Sequence, residues 1–301
     1  MTQTTAQTIA QMFTRPHRTQ MPKTPKDYGM EFEAVTFPSL DGLTLSAWKI
    51  PAPKTDLAKK PVLAIMNHPL YCSKYGFVPE GDVAQLVPVH VEFLNTVKHL
   101  HNAGMDVLFY DLRNHGESAS SPDGMSGIGA FEWQDAAGAM EYVNSKPEWQ
   151  NHDLVLVNHC MGANSAIIAM SKRPELFERV KALVAVQPIS MAFMAEKIMA
   201  MLGGNSSLEE VDQAIKELAD IGLYDMSPMG SLKDFKVPVL YSQVREDVLT
   251  DPADLEAIVA NTPTETEMLW IEGPLNRFDG YNYYGEHPER MLAFIAKHLN
   301  G

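Results

Sequence analysis

Cysteine is nearly absent from this 301-residue chain, which holds only Cys72 and Cys160. Two thiols cannot build a disulfide framework, and their spacing is not that of a zinc site. Basic residues are scarce as well: 24 lysines and arginines face 38 acids, a net charge of −14 at pH 7. Polyphosphate and anionic lipid repel so acidic a chain, so no nucleic acid and no membrane surface is expected as a partner. No apolar run approaches the roughly 20 residues of a membrane helix, and residues 1–10 are polar, without the apolar centre of a secretion signal. A cytoplasmic location is the resulting expectation. The zinc-protease helix, the P-loop and the dinucleotide glycine fingerprint are also missing, since Gly127-Ile128-Gly129 lacks a preceding strand and a third glycine. Neither a cofactor nor a metal is expected. What remains is 45% hydrophobic and 21% charged, the profile of a globular chain with a large core.

No internal repeat interrupts the organisation, which is an alternation. Runs at 32–37 and 43–50 flank Asp41-Gly42, a hairpin signal. Fully apolar runs follow at 62–66, 107–110, 154–157, 183–186, 239–241 and 268–271, as buried parallel strands require. Between them the pattern predicts helices at about 91–103, 131–145, 162–172, 252–261 and 288–299. Alternating strands and helices predict an α/β fold whose mostly parallel sheet is covered on both faces. One connection is too long for a simple crossover. Residues 190–236 read as a helical cap inserted between two core strands, leaving 1–189 and 237–301 as the core. Its methionines, Met191 and Met194 among them, suit an adaptable apolar roof, although ordinary packing accounts for them equally well.

The most informative segment is 154–166, where an apolar strand runs straight into a small-residue helix through Asn158-His159-Cys160-Met161-Gly162. The pattern resembles the nucleophile elbow G-x-S-x-G, with Asn158 at the first glycine, Cys160 at the nucleophile and Gly162 at the second glycine. Asparagine tolerates strained backbone best after glycine, and cysteine preserves a nucleophile. A helix starting near Met161 sets its positive end against the sulfur, which favours thiolate. With these residues the chain, from about 27 to 301, resembles the α/β-hydrolase superfamily. The Cys in the Ser position is similar to dienelactone hydrolases, while the cap and the C-terminal motifs are closer to ester and carbon–carbon bond hydrolases.

The resemblance implies roles for further residues. Asn67-His68-Pro69-Leu70 stands where the superfamily has His-Gly-x, so the oxyanion-hole donors fall to the backbone N–H groups of Leu70 and Met161. Residues 111–118 match the architectural D-x-R-x-x-G-x-S stretch, which gives His115 no catalytic part. The acid after the fifth of these apolar runs, 239–241, is Asp247, and Asp251-Pro252 reads as a helix cap with proline at the first helical position. The superfamily's histidine position, in the loop 272–278, holds Asn276, an amide that takes no proton at neutral pH. His287 is the candidate substitute base, provided that the loop 276–285 folds back. Substrate contacts are expected from His68, Tyr71, His159, Phe278, Tyr281, Met191 and Met194.

The expected partner is a small-molecule acyl substrate, and a homodimer is compatible with the sequence. The first functional reading is a hydrolase of an ester, thioester or lactone working through a Cys160 acyl-enzyme. Three alternatives share the residues: a turnover-impaired small-molecule binder, a non-hydrolytic acyl transferase or cyclase, and a His-to-Asn variant made to trap a complex.

Overall fold

The computed structural model describes residues 3–53, 60–81, 84, 87–274 and 276–299. Near the N-terminus, α1 (Thr5–Thr14) opens with a capping box in which Thr4 and Gln7 exchange side-chain-to-backbone hydrogen bonds. Ile9, Ala10 and Phe13 form its buried face. The hairpin β1 (Glu33–Pro38) and β2 (Thr44–Ile50) closes through Asp41-Gly42 as the sequence predicts. The apolar runs then become β3 (Val62–Asn67), β6 (Met105–Tyr110), β7 (Asp153–His159), β8 (Val180–Val186), β9 (Val239–Val244) and β10 (Thr266–Ile271). A separate ribbon pairs β4 (Gly76–Phe77) with β5 (Val91–Glu92). Val91 and Glu92, read from sequence as the start of a helix, are drawn into that ribbon.

The large sheet has the order β1-β2-β6-β3-β7-β8-β9-β10, antiparallel at β1, β2 and β6 and parallel from β6 onward. β7 lies near the centre and is buried along its whole length, which is why its sequence is a continuous apolar run. The covering helices are α2 (Leu94–Asn102), α3 (Trp133–Ser145), α4 (Met161–Lys172), α7 (Pro252–Ala260) and α10 (Glu289–Leu299). α7 starts as predicted, with Asp251 accepting from Ala253 N at 3.0 Å and Pro252 at the first position.

Between β8 and β9 lie α5 (Met191–Leu202) and α6 (Leu208–Ala219), followed by short 3₁₀ turns at Leu223–Asp225 and Met229–Ser231. Ser207 and Glu210 form the capping box of α6. α1 packs on α6 and α5, and Ala6 N donates to Ser206 Oγ at 3.2 Å. The segment grouped with the core from sequence therefore joins the inserted helices, because the apolar face of α1 finds its cover there. Two short helices, α8 (Arg277–Tyr281) and α9 (Tyr283–Glu286), lie between β10 and α10. Leu275, part of the loop read as the histidine position, is outside the described residues.

Candidate active site

Cys160 stands between the last residue of β7 and the first of α4, with φ 47° and ψ −112°. Positive φ in a non-glycine residue costs on the order of 1–3 kcal/mol and persists only where the surroundings over-determine it. Here the Cys160 N–H donates to Val186 O at 2.7 Å, and Cys160 O accepts the first helical bond from Asn164 N at 2.9 Å. Gly162 is required by a close approach: a Cβ there would sit 1.9 Å from Oδ1 of Asn67. The Asn67 side chain cannot swing away easily, since it is buried and its Nδ2 donates to Tyr110 Oη at 2.9 Å and to Gly162 O at 3.3 Å.

The sulfur opens onto a cavity of about 100 Å³. Pro69, Leu70 and Tyr71 line it from the loop after β3, and Met191, Met194 and Ile198 from α5. Met12 and Phe13 of α1 contribute to the roof, Val87, Ile128 and Leu249 to the walls, and Arg277, Phe278 and Tyr281 reach in from α8. Tyr71 has φ 69°, and its hydroxyl donates to Met12 O at 2.6 Å, tying α1 to the residue after Leu70. Among the described residues, the N–H groups of Leu70 and Met161 donate to no protein acceptor. Two unengaged amides beside a nucleophile are the raw material of an oxyanion hole.

Asp247, in the loop after β9, accepts from Leu249 N at 3.1 Å through Oδ1 and from Thr250 Oγ1 at 2.7 Å through Oδ2. Gln243 Nε2 donates to the same threonine hydroxyl at 2.9 Å. The group facing Asp247 is Arg277, whose Nη1 lies 3.5 Å from Oδ2. This guanidinium is almost wholly buried; its Nε donates to Tyr281 Oη at 2.9 Å and its Nη2 to Gln187 O at 2.9 Å. Burial opposes the charge of Arg277, but Tyr281, Cys160 and Asp247 together outweigh it and hold the pKa above the ordinary arginine value. Tyr281 is pushed well above the phenol range, chiefly by burial, with the Cys160 sulfur adding to the shift and Arg277 opposing it.

Asn276 does not line the cavity. Its Oδ1 accepts from Phe278 N at 2.9 Å, capping α8 from a half-buried position. The side chain that touches Asp247 belongs to the next residue, because α8 turns Arg277 and Tyr281, four apart, to one face. His287 is also away from the cavity: it is exposed after α9, its ring 5.0 Å from that of Tyr283. The loop does not carry it inward. Among the described residues, no imidazole lines the cavity.

Two histidines expected to contact substrate are instead buried within the fold. His68 Nε2 accepts from Leu112 N at 3.0 Å, so its Nδ1–H donates to Pro69 O at 2.8 Å, and burial holds the ring neutral with a pKa well below the usual range. It supports the turn that carries Leu70. His159 Nδ1 donates to Asn67 O at 3.2 Å, with burial pushing its pKa down to about 4. Its ring packs 4.6 Å from Phe93 and 6.2 Å from Tyr281. By contrast, Tyr71, Met191, Met194, Phe278 and Tyr281 all share the cavity with Cys160.

Arg277, Gln187 and the α1 residues are absent from the sequence-based site. Gln187 follows β8 with φ 51°, and its Nε2 donates to Arg277 O at 2.6 Å, fastening α8 to the sheet. The available signal was the Arg277-x-x-x-Tyr281 spacing.

A search of protein-family models matches none of them to this chain. Solved structures do resemble it. An esterase of Pyrococcus furiosus superposes with a TM-score of 0.67 at 18% identity, covering 96% of this chain and 97% of that one. Est1E from Butyrivibrio proteoclasticus, solved with ferulic acid bound, gives 0.61 at 15% identity over 89% of this chain and 100% of its own. The alpha/beta hydrolase GrgF from Penicillium sp. sh18 gives 0.57 at 18% identity over 89% and 98%. The chain has the α/β-hydrolase fold.

Proposed function

We propose that the protein acts on an ester, thioester or lactone with an apolar acyl part, through a Cys160 acyl-enzyme. The observation that carries this reading is the placement of Cys160: a positive-φ residue at a strand-to-helix turn, opening onto an apolar cavity beside the unengaged N–H groups of Leu70 and Met161. In this reading the sulfur attacks the acyl carbon, the two amides hold the oxyanion, and the leaving group departs to give a thioester. The α1, α5 and α6 helices form the cap, and the Met12, Met191 and Met194 side chains accept an acyl chain of modest length. Structural neighbours described as esterases support the choice of acyl chemistry.

The cavity's lack of an imidazole among the described residues favours a second reading, transfer of the acyl group to an alcohol or internal cyclisation. Without a strong base for water, the thioester persists until another acceptor arrives. Mixing with 4-nitrophenyl hexanoate tests both. The expected trace is a burst of 4-nitrophenolate equal to the enzyme concentration, then slow turnover that an added alcohol accelerates if transfer is the reaction. Cys160→Ala is expected to lose the burst. A native protein that shows neither burst nor turnover overturns the catalytic reading in favour of a binder.

A further inference from the structure

We propose that Tyr281, seated by Arg277, is the proton-transferring catalytic residue of this site, giving its phenolic proton to the leaving group and recovering one from the incoming acceptor. The inference rests on the reading of Cys160 as nucleophile and adds to it the group that manages protons.

Three observations carry it. First, Tyr281, Arg277 and Cys160 all line one cavity, whereas Asn276, at the expected histidine position, and His287, the candidate substitute base, do not. Second, the bond between Arg277 and Tyr281 has one possible polarity. A guanidinium has donors and no acceptor, so Nε–H donates to the phenol oxygen at 2.9 Å and leaves the phenolic proton free for another partner. Third, Arg277 is itself anchored by Gln187 O at 2.9 Å and Asp247 Oδ2 at 3.5 Å. A phenolate formed at Tyr281 therefore meets a fixed cation in a buried setting, where such a pairing counts for most. Asp247 and Gln187 act through Arg277 and are positioning residues.

The steps balance. The Cys160 thiolate attacks the acyl carbon, and the carbonyl electron pair moves to the oxygen held by the Leu70 and Met161 amides. The pair returns, the bond to the leaving oxygen breaks, and that oxygen takes the Tyr281 proton. The phenolate stays paired with Arg277. In the second half an alcohol or water attacks the thioester carbon while passing its proton to the phenolate, the carbon–sulfur bond breaks, and thiolate and phenol are restored. Burial keeps Tyr281 protonated at rest, which makes it a donor before it is an acceptor.

Leaving-group dependence separates this role from packing. A nitrophenolate departs without a proton, whereas an alkoxide needs one, and general acid catalysis contributes about 10²- to 10⁴-fold where it is needed. In single-turnover acylation, Tyr281→Phe is expected to slow ethyl hexanoate at least about 100-fold and 4-nitrophenyl hexanoate less than about fivefold. Arg277→Gln is expected to give the same signature, since it leaves the phenolate unpaired. An equal loss on both esters, the outcome of a packing defect, overturns the proposal, and so does no loss on either. If Arg277→Gln fails to fold, the Tyr281→Phe ratio decides alone, because it keeps the ring. Absence of any acyl-enzyme from the native protein with the nitrophenyl ester instead overturns the nucleophile reading. An acyl-enzyme without leaving-group discrimination overturns only the role of Tyr281.

Discussion

On one wall of the cavity Cys160 is held by backbone: its N–H bonds to Val186 O, its carbonyl starts α4, and β7 is buried on both sides. On the opposite wall Arg277 and Tyr281 are held by side chains, through a fork of bonds to Asp247, Gln187 and each other. A wall built from backbone depends on a few residues of special shape and is indifferent to many side chains. A wall built from side chains fails through any one of its members, yet it can be rebuilt with different residues. The elbow's special backbone rests on Val186 and Gly162, whereas the wall of Arg277 and Tyr281 rests on side chains whose exchange leaves the sheet undisturbed.

Paired glycine substitutions sharpen the contrast. The Cβ of Gly162→Ala meets a buried, hydrogen-bonded asparagine at 1.9 Å, so its cost is expected to be about 3 kcal/mol, with loss of the acylation burst. Gly280→Ala meets the Val244 Cγ2 methyl at 2.5 Å and the hydrogen-bonded Gln187 Nε2 at 2.9 Å, longer approaches than the 1.9 Å at Gly162, so a smaller cost of about 2 kcal/mol is expected. Urea denaturation of both variants ranks the walls; equal costs erase the distinction.

The pH dependence of stability probes the floor beneath the two walls. His159 is buried neutral, with its pKa lowered from 6.5 to about 4 by desolvation. A group depressed in the folded state contributes its stability fully above the unfolded value and loses it as pH falls through the folded one. The protein is thus expected to weaken by up to about 3 kcal/mol between pH 6.5 and 4 from this residue. His159→Gln should flatten part of that acid limb. An unchanged slope would mean that the ring is protonated without cost.

The smallest effect is expected at Asn276. Because it caps α8 and does not face the cavity, Asn276→His is expected to cost at most about 1 kcal/mol and to change acyl turnover less than about threefold. A tenfold gain with an imidazole-like limb near pH 6 to 7 would show that position 276 reaches the sulfur after all.

The parallel strands and the elbow are legible from sequence because burial on both faces and a forced turn leave local marks: an unbroken apolar run in β7, a small residue at Gly162. The hairpin is legible through Asp41-Gly42, and α7 through Asp251-Pro252. The roof and the proton-handling wall are not. α1 has an ordinary amphipathic pattern that acquires meaning only against α5 and α6. Counting along the loop from β10 arrives at Asn276, whereas a short helix decides which neighbour faces Asp247, and that choice depends on Gln187, ninety residues earlier in the chain. His68 and His159 look alike in sequence to ligands or bases. Their occupied or enclosed ring nitrogens show them to be supports.

The most direct test is to trap the acyl adduct. After brief reaction of the native protein with 4-nitrophenyl hexanoate and acid quenching, peptide mass mapping is expected to place one hexanoyl group on Cys160 and none on Cys72. A hexanoyl group on Cys72, a serine or a lysine in its stead, or no adduct at all during turnover, would contradict the assignment of Cys160 as nucleophile.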